Sequence, residues 1–90
     1  MKQGATILVI DDNEDFRKLL AETLTMWGYV TAEAVDGEQA LSIIQQFSPD
    51  LVIVDLDMPH MDGLEFTKQI KEINPNFPII MVTAYERFYT

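Results

Sequence analysis

Acidic side chains carry the chemistry this chain could perform, and they stand in two places of the same kind. Ile7-Leu8-Val9-Ile10 runs directly into Asp11-Asp12, and Leu51-Val52-Ile53-Val54 runs directly into Asp55, with Asp57 two residues on. Each apolar run reads as a strand buried on both faces, as in a parallel sheet covered by helices. Ligands of such sheets collect outside the carboxyl ends of neighbouring strands. If the two strands are adjacent, Asp11, Asp12 and Asp55 meet, and close carboxylates raise one another's pKa unless a cation joins them. Oxygen-only donors with room for water suit Mg²⁺ or Mn²⁺ better than zinc. A single acid after a strand can equally cap the following helix, a task open here to Asn13 and Asp15. The doubled Asp11-Asp12 together with Asp55 favours the cation site.

The intervening sequence supplies the elements that would position these groups. After Asp12 the period becomes helical: Phe16, Leu19, Leu20, Thr23, Leu24 and Trp27 recur on one face, and Arg17, Lys18 and Glu22 fall elsewhere. Asn13, Glu14 and Asp15 suit the first turn, and Gly28 stops the helix. Residues 29–34 alternate as a strand nearer an edge. Asp36-Gly37 reads as a turn, followed by a helix over 38–47 on Ala40, Leu41, Ile44 and Phe47. Ser48-Pro49-Asp50 leads into the strand ending at Asp55. Leu64, Phe66, Ile70 and Ile73 give a third helix closed by Asn74-Pro75, and Ile79-Ile80-Met81-Val82 forms a last strand ending at Thr83. The order βαβαβαβ predicts an α/β fold, an open parallel sheet with helices on both faces joined by right-handed crossovers.

Composition narrows the partners. Ninety residues with 48% apolar content describe one small globular domain. A net charge of −9 makes direct binding of nucleic-acid phosphates or anionic lipid unfavourable. The absence of cysteine removes disulfide, thiolate and zinc–sulfur chemistry. Met1-Lys2-Gln3-Gly4 carries no signal-peptide pattern, and no apolar run approaches the ~20 residues of a membrane helix. These features lead to the expectation of a cytoplasmic protein with no membrane contact.

With those residues in order, the chain resembles the receiver domains of two-component response regulators, over essentially all of residues 1–90. The acid pair after the first strand is matched by Asp11 and Asp12, and the phosphorylated aspartate after the third by Asp55. Pro59 and Gly63 follow at family spacing, and Thr83 with small Ala84 ends the fourth strand. The resemblance implies a flavodoxin-like fold and a phosphoacceptor mechanism. Asp55 would attack a phosphoryl group carried by a histidine kinase or phosphotransfer protein. Mg²⁺ would bridge Asp12, Asp55 and the backbone carbonyl of Asp57, with Asp11 acting largely through water, and Thr83 would offer its hydroxyl to a phosphoryl oxygen. Asp57 and Tyr85 stand where the family tunes phosphate loss, though both can be ordinary loop residues.

The same resemblance implies a lysine after a fifth strand, and these residues hold no equivalent. Lys18, Lys68 and Lys71 lie on helical segments and Lys2 at the N-terminus, while the guanidinium of Arg87 is a poor substitute for a compact ammonium. The expectation is a receiver truncated after its fourth strand, with impaired phosphoryl chemistry and an exposed fourth-strand edge that pairs with a second copy. The alternative is a receiver-like interaction module without phosphoryl switching. An Asp-x-Asp phosphatase reading of Asp55-Leu56-Asp57 conflicts with Pro59 and with acids lying upstream. An EF-hand reading fails because its glycine position is Phe16. His60, the sole histidine, reads as a loop residue.

Overall fold

The computed structural model describes residues 4–46, 48–55 and 63–82. Seven elements follow in the expected order: β1 (Thr6–Ile10), α1 (Glu14–Met26), β2 (Val30–Ala34), α2 (Gly37–Gln46), β3 (Leu51–Asp55), α3 (Gly63–Ile73) and β4 (Ile79–Val82). The strands form one parallel sheet in the order β2-β1-β3-β4. Ile10 pairs with Val54 across β1 and β3, so the two acidic strand ends are neighbours in register.

The side-chain period of two divides the central strands between two cores. Leu8, Ile10, Val52 and Val54 face Ala40, Phe66 and Ile70 of α2 and α3, with Phe77 closing the end of that layer. Ile7, Val9 and Ile53 face Leu24 of α1, joined by partly buried Leu20, Tyr29 and Val82. Helices thus cover both faces, which is why β1 is apolar from Ile7 to Ile10 and β3 from Leu51 to Val54. β2 lies at one end of the sheet, and its Val30 is exposed.

Local chemistry fixes the ends of α1. The Asn13 side chain accepts from the Phe16 amide at 2.9 Å as the N-cap. At the other end Gly28 takes φ +97°. Its amide donates to the Thr25 carbonyl and the Tyr29 amide to the Leu24 carbonyl, so the last turn closes through a left-handed glycine. Asp36 similarly caps α2, accepting from the Gln39 amide at 2.8 Å, and Gly37 is already helical rather than part of a free-standing turn.

The helical faces differ from the pattern in the sequence. Leu20 and Leu24 face the sheet, but Phe16, Leu19 and Trp27 are 47%, 62% and 65% exposed. The buried places go to Ala21 and Arg17, which are only 4% and 6% exposed. Positions 17, 20, 21 and 24 form one stripe at helical spacing. The small Ala21 side chain lets the helix lie close to the sheet, and Arg17 finds polar partners at its edge. In α3, Phe66 and Ile70 enter the core while Leu64 and Ile73 remain 63% and 70% exposed. Phe47 lies outside the described residues.

Candidate metal and phosphoryl site

The carboxyl ends of β1 and β3 bring the sequence's acids together. Asp11, Asp12 and Asp55 each offer a carboxylate oxygen, and these oxygens all lie within 4.8 Å of one another. Asp11 is buried, Asp12 is exposed on the loop into α1, and Asp55 is partly buried as the last residue of β3. Asp11 is held on three sides. Its amide donates to the Ala34 carbonyl of β2 at 3.1 Å. Its Oδ1 accepts from the Asn13 amide at 2.9 Å, and its carbonyl accepts from Arg17 Nη1 at 2.9 Å.

This arrangement disfavours a negative charge on Asp11. Burial pushes its carboxyl up from 3.8 to about 6; the Asn13 amide opposes that rise, and the charges of Asp55 and Asp12 and a hydrogen bond with Asp55 add to it. Among the described residues, the ion pairs of Arg17 and Lys18 run to Glu14 and Glu33. A set of crowded, hard oxygen donors, one of them open to water, fits a small divalent cation, which would favour the ionised form of Asp11.

Asp57 and Thr83 lie outside the described residues, as do Pro59, His60, Ala84, Tyr85 and Arg87. Gly63 opens α3. Sequence reasoning passed over Arg17 and Glu33. A basic residue one turn into a helix reads as solvent-facing, and its partner stands 16 residues away on β2. The available signal was the charged Glu33 within an otherwise uncharged strand.

A family model for the response regulator receiver domain matches residues 7–89. The chain belongs to this family. It is 44% identical over 79 residues to sporulation initiation phosphotransferase F of Bacillus subtilis, a match covering 88% of this chain and 64% of that protein. It is 42% identical over 78 residues to the alkaline phosphatase synthesis transcriptional regulatory protein PhoP of the same organism, covering 87% of this chain and 32% of PhoP. The chain thus spans less than two thirds of these relatives. The crystal structure of the response regulator protein TrrA from Thermotoga maritima, in complex with Mg²⁺-BeF, superposes with a TM-score of 0.87 at 39% identity. That match covers 93% of this chain and 73% of TrrA. The fold is that of receiver domains, and the reading as an inert interaction module is not favoured. No helix among the described residues is long and apolar enough to cross a membrane.

Proposed function

We propose that residues 1–90 act as one phosphoacceptor unit in which Asp55 takes a phosphoryl group from a histidine kinase or phosphotransfer protein and so switches a downstream interaction. The observation that carries this reading is the convergence of Asp11, Asp12 and Asp55 at the paired ends of β1 and β3, in a chain matched by the receiver family over residues 7–89. A carboxylate oxygen of Asp55 would attack phosphorus as the donor's P–N bond breaks. The bond's electron pair returns to the imidazole nitrogen, and Asp55 becomes an acyl phosphate. Asp12 and Asp55 would hold Mg²⁺ directly, Asp11 through water and Asp57 through its carbonyl; Mn²⁺ has the same donor preference. When bound, the cation neutralises charge on the phosphoryl oxygens. Thr83 would donate its hydroxyl to one of those oxygens. The Mg²⁺ of the TrrA complex supports the choice of metal. The acidity of the chain, at −9, supports a protein rather than a nucleic-acid partner, and a cytoplasmic location accords with a kinase donor.

Incubation with acetyl phosphate and Mg²⁺, followed by intact mass spectrometry, tests this. The expected result is one phosphoryl increment in the wild type and none in Asp55→Asn. An increment that persists in the variant, or that never forms in the wild type, contradicts the assignment.

The β4 edge supports a further partner, a second copy of the chain. β4 lies at the outer end of the described sheet, and its Ile80 and Met81 are about half exposed, which favours edge-to-edge pairing. Light scattering at micromolar concentration should give a dimer or larger species; a stable monomer would count against pairing.

A further inference from the structure

Arg17 is a buried cation that touches the acidic site through the Asp11 carbonyl. Arg17 lies in the early part of α1, and its side chain is only 7% exposed. Its Nη1 donates to the Asp11 carbonyl and its Nε to Glu33 Oε1, both at 2.9 Å, and Nη2 lies 3.8 Å from Glu14 Oε1. We infer that Arg17 is a positioning residue for the acidic site, fixing the Asp11–Asp12 peptide between α1 and β2 and so setting where the Asp12 carboxylate stands. This rests on the reading of Asp11, Asp12 and Asp55 as a cation site.

The ladder between β1 and β3 ends at the Ile10–Val54 pair, and Asp11 keeps only its amide bond to Ala34 of β2. The carbonyl of Asp11 has left the ladder. It belongs to the peptide whose rotation swings Asp12, an exposed residue with one oxygen in the cluster. A buried carbonyl needs a partner, and Arg17 supplies it. Glu33 in turn holds the guanidinium to β2, so the fork ties three elements at one point. A planar fork can meet a carbonyl and a carboxylate together in a way that a single ammonium head cannot. Groups of this kind, one layer behind the ligands, set ligand orientation and affinity. An ordinary helix-to-strand ion pair would use the Glu33 contact alone; the bond to the Asp11 carbonyl is what reaches the site.

The test measures Mg²⁺ affinity by calorimetry and Asn13 amide exchange by NMR in the 90-residue chain, with circular dichroism to establish folding. Arg17→Met keeps the apolar stem and removes charge and donors. It is expected to weaken Mg²⁺ about tenfold and to speed Asn13 exchange relative to the amides of β3. Glu33→Gln leaves the donor to Asp11 in place, and its affinity should stay within about twofold of the wild type. A folded Arg17→Met with unchanged affinity and exchange overturns the inference, as does a Glu33→Gln loss equal to that of Arg17→Met. Should Arg17→Met fail to fold, Arg17→Lys takes its place, with a loss of at least about twofold expected and an unchanged affinity overturning the inference. Wild type that binds no Mg²⁺ removes the cation reading alone, and Asn13 exchange in the Arg17 variant then decides on its own.

Discussion

The strand pair β1–β3 ends in aspartates both below and above, and the two ends use them in opposite ways. Below, Asp50 closes the ladder. Its amide donates to the Thr6 carbonyl at 2.7 Å, and its exposed carboxylate accepts from the Thr6 amide at 2.8 Å. The charge sits in water and gains a donor, so this contact stabilises the fold at little cost. Above, Asp11 is buried beside Asp55 and Asp12, and its carboxyl rises to about 6. The same residue type at the ends of the same two strands is therefore a fastener at one end and a buried, crowded acid at the other. In the proposed function a cation would remove that cost, and carboxyls perturbed in this way are found at functional sites.

The largest expected effect is on the upper end alone. Asp12→Ala removes the exposed donor, and Mg²⁺ affinity measured by calorimetry should fall by about tenfold or more. A loss below twofold would mean that Asp12 is not a ligand. Next comes the removal of a buried charge that Asp55 and Asp12 crowd further. Asp11 ionises at about 6 when folded and near 3.8 when unfolded. Between those values the folded chain holds the extra proton, so stability without metal declines as pH rises through this window and stays lower above it. Asp11→Asn keeps an acceptor for the Asn13 amide and cannot ionise. It should therefore stabilise the metal-free chain at pH 7 by on the order of 1 kcal/mol, with little gain at pH 4. Thermal melts at both pH values would check this, and a destabilised variant at pH 7 would break the contrast. The smallest effect is expected below: Asp50→Ala should cost about 1 kcal/mol or less in urea unfolding and leave Mg²⁺ affinity unchanged.

How much of this was legible in the sequence depended on which physical signal each residue carried. The unbroken apolar runs of β1 and β3 announced strands covered on both faces, and their acidic ends announced the cluster. Both follow from patterns local to a few residues, and the observed register bears them out. The face of α1 was misread because large side chains were weighted over small ones. Phe16, Leu19 and Trp27 looked like core, whereas Ala21 is buried because a close helix needs a small residue there. Arg17 was hidden for a different reason: the partners that make its burial tolerable come from β2 and from the loop after β1. Leu64 and Ile73 show the same limit in α3, where periodicity alone widened the apolar face beyond what the sheet covers.

If a cation relieves the burial and crowding of charge at the upper end, its binding must release protons. Mg²⁺ titrations by calorimetry at pH 6, in buffers of different ionisation enthalpy, report the protons displaced per ion bound. With the Asp11 carboxyl at about 6, the wild type should release about half a proton per Mg²⁺ and Asp11→Asn essentially none. Binding heats that do not depend on the buffer in the wild type would contradict the claim.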